Sequence, residues 1–337
     1  MLDKQQAPLV FYPCKKKPRL SLNLRTGLNP ASGSSREPNL QEHYRLASQK
    51  WQAKMNVLSL ENQSQIIHAL VEGNSLRATA RLCGVERNTV GRILLRAGDA
   101  CGWLLNERIR RIQAKQVQVD EIWTYVFKKE AHLGGTDDET AMGDQYVFVA
   151  MDAETKLVIS HLVGKRHAAT AFYLIQDLKQ RLANRVQLTT DGFKPYLNAV
   201  EDNFGADVDY GMLVKMYGGD EREGGGPAWY GPAQIVSAMP TRITGDPAWK
   251  HISTSYIERQ NLTIRMQSRR FTRLTNAFSK KLPNLKAAVA LHFTWYNFCR
   301  VHASLRVTPA MEAGLTDHVW EIEELLMASA KPSREAA

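Results

Sequence analysis

Residues 116–127 read QVQVDEIWTYVF. Val117 and Val119 alternate with polar residues, and the stretch continues in β-branched and aromatic side chains. The spacing predicts a strand with Asp120 inside it. A polar, Gly-rich loop follows (AHLGGTDDETAMGD), then two apolar runs at 145–151 and 156–163. Those runs are joined through Asp152-Ala153-Glu154-Thr155 and are expected to form a hairpin. Residues 167–183 carry Phe172, Leu174, Ile175, Leu178 and Leu182 at helical spacing. A strand over 186–191, a helix over 195–203 and a strand over 210–216 are expected next. This order suits an α/β class: a mixed sheet flanked by helices on both faces. The segment 218–250 contains GGDEREGGGPAWYGP and TGDPAW, and is expected as an inserted loop or flap. Helices are expected over 254–268 and 283–301, with a short one over 317–328.

Upstream, residues 57–97 read as three helices. The first, over 60–72, places Ile66, Ile67, Leu70 and Val71 on one side, and Gly73-Asn74 ends it. Ser75 can cap the second, over 76–82. Cys83-Gly84-Val85 is a tight turn, and the third runs over 86–96 with Val90, Ile93 and Leu94 inward. Helix, Gly turn and helix make a helix-turn-helix pattern. Arg87, Asn88, Thr89 and Arg92 would face outward where such a helix meets base edges or phosphates. A small three-helix bundle with a polar face is the alternative. The expected organisation is a disordered basic extension over 1–54, a helix-turn-helix domain over 55–105, a catalytic domain over 106–315, and a C-terminal helix and tail over 316–337.

The chain has 337 residues, enough for about two domains. No apolar run approaches the length of a membrane span. The N-terminal basic run follows the only short apolar stretch there, which is not the order of a signal peptide. A cytoplasmic, nucleoid-associated protein with no membrane partner is expected. Cys14, Cys83, Cys101 and Cys299 form no C-x-x-C pair, so neither a disulfide framework nor a zinc site is indicated. Net charge is +10, and residues 259–306 hold ten Lys or Arg with no Asp or Glu. Such clustering is the footprint of a nucleic-acid surface, although a solvated helical face has the same composition.

Three acids stand out by placement. Asp120 lies in the first expected strand, Asp191 at the end of the fourth and Glu258 in the first turn of a late helix. Ligand sites in open α/β sheets gather at the carboxyl ends of strands. Phosphodiester cleavage needs an activated oxygen nucleophile and a stabilised leaving oxygen, which two divalent ions supply. Mg²⁺ and Mn²⁺ take hard oxygen ligands, and carboxylates gathered without a cation repel one another. Each acid also has a structural alternative. Glu121 can stand in for Asp120, Asp191-Gly192 can be a turn, and Ser255-x-x-Glu258 matches a capping box unless Ser253 or Thr254 caps the helix. Arg265 stands two helical turns after Glu258 on the same face, where it could hold a phosphate or be an exposed charge.

At these residues the sequence resembles a family. VDEIW around Asp120, TTDGFKPY around Asp191, the block HISTSYIERQNLTIRMQSRRFTRLTNAFSKK around Glu258, and the closing YNFCRVHASLRVTPA look like a DDE-type insertion-sequence transposase. The likeness is closest to the insertion sequence 1 family and covers about 55–315. It implies a ribonuclease-H-like fold and catalysis by Asp120, Asp191 and Glu258 with Mg²⁺ or Mn²⁺. It further implies binding to the terminal inverted repeats and target sites of double-stranded DNA, and a homo-oligomer on that DNA. Arg265, Arg269, Arg270 and Arg273 would contact phosphates. Relatives often carry an N-terminal cysteine-rich zinc finger, whereas only Cys14 is present there. The span from Asp191 to Glu258 is longer than in compact integrases, matching the 218–250 insertion. The likeness begins near Met55, so residues 1–54 are expected to be an upstream extension from an early start. Two other functions fit parts of the pattern: a catalytically inactive DNA-binding regulator derived from a transposase, and a structure-selective nuclease.

Overall fold

The computed structural model describes residues 57–217, 235–272 and 276–329. The expected 1–54 extension, Cys14 and Arg273 therefore lie outside the described residues. Three helices come first: α1 (Leu60–Val71), α2 (Leu76–Leu82) and α3 (Arg87–Arg108). Ser59, Ser75 and Glu86 each cap one of them by accepting backbone N–H bonds. Gly84 takes φ +64° in the turn between α2 and α3, a conformation that favours glycine. The third helix is longer than the 86–96 expected, because Ala97, Cys101, Leu104 and Leu105 continue its buried face.

The sheet follows as β1 (Gln116–Val126), β2 (Gly143–Asp152) and β3 (Val158–Gly164), an antiparallel run. Helix α4 (Ala168–Arg181) crosses to β4 (Gln187–Asp191), and α5 (Pro195–Phe204) crosses to β5 (Asp209–Tyr217). Strand β4 is parallel to both β1 and β5. Within the 218–250 segment, expected as loop or flap, Ile235–Thr244 forms a sixth strand, β6, antiparallel to β5. Its Pro240 and its largely exposed side chains hid it from a search for alternating burial; an edge strand tolerates both. The strand order is β3-β2-β1-β4-β5-β6. The result is a mixed sheet flanked by helices, as the ribonuclease-H-like expectation required.

The chain ends in α6 (Ser255–Gln267), α7 (Leu282–Phe298), α8 (Pro309–Glu312) and α9 (Ile322–Ala328). Helix α7 is apolar on nearly every side, as expected for a helix enclosed by other elements. It packs on α3 so closely that a Cβ on Gly98 would lie 2.3 Å from the Ala287 carbonyl oxygen. From α7, Asn297 accepts from the Val158 N–H at 3.0 Å and donates to its carbonyl at 2.9 Å, satisfying the outer edge of β3. Arg181 of α4 donates to the carbonyls of Leu105 and Ile109, both at 3.1 Å, and so closes the end of α3. No helix among the described residues is long and apolar enough to cross a membrane.

Candidate metal centre

The register of two strands sets the site. Val119 of β1 is the parallel partner of Thr190 in β4, and there the pairing ends. Asp120 and Asp191 are the next residue on each strand, so they stand side by side where the two strands part. Beyond that point β1 continues against β2 alone, whereas Asp191 still pairs with Leu213 of β5. A gap opens between β1 and β5 at the carboxyl end of β4, the position at which open α/β sheets bind ligands.

Asp120 and Glu121 point to opposite faces of β1 yet both reach this gap. One carboxylate oxygen from each of Asp120, Glu121 and Asp191 lies within 4.8 Å of the others. The Glu121 backbone N–H donates to Asp120 Oδ1 at 2.9 Å, and the Phe193 N–H donates to Asp191 Oδ1 at 3.1 Å. The turn reading of Asp191-Gly192 is therefore met together with its place in the cluster. Arg166, following β3, brings its guanidinium to 3.5 Å from Glu121 Oε2 and 3.7 Å from Asp191 Oδ2. It also stacks 4.2 Å from the Phe193 ring centre.

Helix α6 carries Glu258 near enough for its charge to act on Asp120, but the Glu258 carboxylate is not one of the three that gather within 4.8 Å. Thr254 is its N-cap residue, and Ser255 N–H bonds Ser253 Oγ rather than Glu258. The capping-box alternative for Glu258 is therefore not the one adopted. Instead Gln118 of β1 accepts from the N–H groups of Tyr256 and Ile257 at 3.0 and 3.1 Å, fixing the start of α6 on the sheet. Three residues after Glu258, Asn261 donates to Asp120 Oδ2 at 2.9 Å. Glu258 itself is bonded through Oε1 to Lys215 of β5 and to Thr254 Oγ1.

Enclosure and mutual repulsion both oppose ionisation of these groups. Burial, then the charge of Asp191 and that of Glu258, push Asp120 up to about 7. Burial and Asp191 push Glu121 up to about 8, against the pull of Arg166. Burial also raises Asp191. Glu121 Oε1 and Asn261 Oδ1 are buried acceptors without a hydrogen-bond partner. Unmet oxygen acceptors among carboxylates that resist ionisation are what a hard divalent cation relieves, so the donor set fits such a cation.

None of the other expected site residues belongs to the carboxylate group. Arg87, Asn88 and Arg92 are exposed and Thr89 partly so, on the first turns of α3. Arg265 donates to the Phe271 carbonyl at 3.3 Å, and Arg269 and Arg270 form a single 3₁₀ turn beyond α6. Sequence reasoning missed Gln118, Arg166, Lys215 and Asn261, and held Glu121 only as a substitute for Asp120. Helical spacing was the available signal for Asn261, three residues from Glu258 on one face. For Arg166 and Lys215 there was none, since only the sheet brings them in.

No protein-family profile and no curated protein matches the chain. Among solved structures the chain is similar to the Mos1 strand transfer complex, with 16% identity and a TM-score of 0.20, over 47% of this chain and 60% of that one. It is similar also to the mariner Mos1 paired end complex with Mg, with 16% identity and a TM-score of 0.19, over 49% and 65% respectively. The chain thus spans less than two thirds of the Mos1 chains it matches.

Proposed function

We propose that the chain is a transposase that binds the ends of an insertion sequence, cleaves DNA strands there and joins them to target DNA. The observation that carries this reading is the alignment of Asp120 with Asp191 at the tip of β4, with the helix of Glu258 tied to Asp120 through Asn261. Asp120, Asp191 and Glu258 would hold Mg²⁺ or Mn²⁺, and Glu121 lies close enough to serve as a further ligand. Ions bound there would activate an oxygen nucleophile and stabilise the leaving oxygen. The chain's own residues prepare the site. Asn261 orients the Asp120 carboxylate, Gln118 anchors α6, and Lys215 keeps Glu258 beside the gap. Arg166, seated on Phe193, offers a guanidinium that can turn from the acids to a DNA phosphate.

In the same reading α1–α3, about 55–105, select the element ends through Arg87, Asn88, Thr89 and Arg92, and residues 106–315 catalyse. Arg265, Arg269, Arg270 and Arg273 hold phosphates, and copies of the chain assemble on the DNA. The test is a gel assay with a labelled duplex carrying the terminal repeat that flanks the coding region. With Mg²⁺ or Mn²⁺ the wild-type chain is expected to cut and join it, while Glu258→Gln binds but does not cut. Cleavage by Glu258→Gln at the wild-type rate would remove Glu258 from the site. Absence of cleavage by the wild-type chain with either metal would overturn the enzyme reading.

A further inference from the structure

Away from the acids, a groove of about 1070 Å³ separates the first helices from the segment joining α6 to α7. Arg77, Arg87 and Arg92 line one wall. Arg269, Arg270, Lys280 and Lys281 line the other. Among the described residues, no Asp or Glu lines either wall. The walls are held at a set spacing, because the turn after α1 abuts the end of α6: a Cβ on Gly73 would meet the Met266 carbonyl oxygen at 3.0 Å.

The inner part of the groove holds two polar side chains whose surroundings call for a ligand. Arg270 donates to Ser279 Oγ at 2.7 Å, and none of the ion pairs among the described residues includes it. Burial pulls its guanidinium down to about 10, which leaves it charged at neutral pH. The side chain is partly exposed, so this cation is open to an anion entering the groove, which offsets the desolvation it has suffered. His292 is 3% exposed, and neither of its ring nitrogens has a hydrogen-bond partner. Orphaned buried polar atoms at the edge of a groove with cationic walls mark a place for an absent partner.

We propose that this groove holds the phosphodiester backbone of one nucleic-acid strand, gripped by both walls at once, with Arg270 on a phosphate. Seven cations spread along two walls match a polymer whose charges repeat, rather than one small anion. Asparagines 276 and 284 and His292 add neutral donors and acceptors for sugar and base atoms. Gln267, the last residue of α6, also lines the groove. Glu258 stands two and a half turns earlier on that helix, about 14 Å along its axis. A strand in the groove therefore runs beside the helix that reaches the acids. The proposal rests on the transposase reading only in taking DNA as the polymer.

The test uses the full chain in EDTA, so that cutting plays no part. Fluorescence anisotropy with a labelled 30-base-pair DNA duplex gives affinity as a function of salt. Each lost phosphate contact is expected to lower the slope of log affinity against log salt by about one. Arg270→Gln should show that loss, and the exposed pair Lys280→Ala/Lys281→Ala should lose about two units with an unchanged melting temperature. Photocrosslinking with a 4-thiothymidine-substituted duplex should label peptides from both walls. Unchanged slopes in both variants overturn the proposal, as do crosslinks confined to one wall. It is also overturned if poly-glutamate displaces the duplex as well as unlabelled DNA does, since the groove would then serve an acidic protein. If the groove variants bind normally while wild type cuts DNA, the groove fails and the transposase reading survives. Groove-dependent binding without metal-dependent cutting gives the reverse.

Discussion

The side-chain amide of Asn261 donates a 2.9 Å hydrogen bond to Asp120 Oδ2, joining the helix that carries Glu258 to the strand that carries the first acid. Together with the Glu121 N–H on Oδ1, the bond fixes the orientation of that carboxylate. Supporting contacts of this kind typically change metal affinity or activity by about 10–100-fold. Asn261→Ala is expected to fall in that range for Mn²⁺ affinity, measured calorimetrically, while the melting temperature moves little. Asn261→Asp would place another acid against Asp120 and should weaken the metal-free fold. Wild-type Mn²⁺ affinity in Asn261→Ala would remove the positioning role.

Glu121 and Glu258 compete for the place of third ligand, and their contacts differ. Glu121 has one buried oxygen without a partner, whereas Glu258 is held by Lys215 and Thr254. Replacing either with Gln separates them. If Glu258 is the ligand, Glu258→Gln abolishes strand cleavage and Glu121→Gln retains a measurable rate. The opposite pattern would transfer the role to Glu121.

The raised carboxyls give the metal-free chain a distinctive pH response. A group whose folded pKa exceeds its unfolded value binds more protons in the folded state. Its stabilising contribution is complete below the unfolded pKa and disappears as pH rises through the folded one. For Asp120 that window runs from the ordinary 3.8 up to about 7, and for Glu121 from 4.5 to about 8. The melting temperature in EDTA is expected to decrease from pH 5 to pH 8. Added Mn²⁺ should restore it most at pH 8, because metal needs the deprotonated acids. Asp120→Asn should flatten the decrease, and an equally steep fall in that variant would point to other groups.

Gly98 tests the joint between the first helices and the rest of the fold. Its missing Cβ lets α3 approach the Ala287 backbone, and an added methyl would lie 2.3 Å from a carbonyl oxygen. Overpacking of this kind costs about 1–3 kcal/mol. Urea denaturation of Gly98→Ala should show that loss. The neighbouring Gly102, whose Cβ would meet only the Ala290 side chain at 3.9 Å, should tolerate alanine.

Much of this architecture was legible in local pattern. Alternation marked β1, helical periodicity marked α1 and α4, and Ser75 caps α2 as its position suggested. Strand β6 was not legible, because an edge strand with exposed side chains and a proline carries no burial signal. Nor was the length of α3, whose second half is buried by a helix almost two hundred positions away in the chain.

The sequence by itself determined which residues can do chemistry, since carboxylates at strand ends and a run of cations without acids are matters of composition and order. It also determined the capped helices and strands β1 to β5, because those follow from neighbours a few positions apart. Only the tertiary structure decided which acids meet. The parallel register of Val119 with Thr190 sets Asp120 beside Asp191, and Gln118 and Asn261 dock α6 on that strand. The same packing brought in Glu121, Arg166 and Lys215, and faced two sets of cations across one groove. Register and docking depend on pairings over many tens of residues, and no local spacing encodes them.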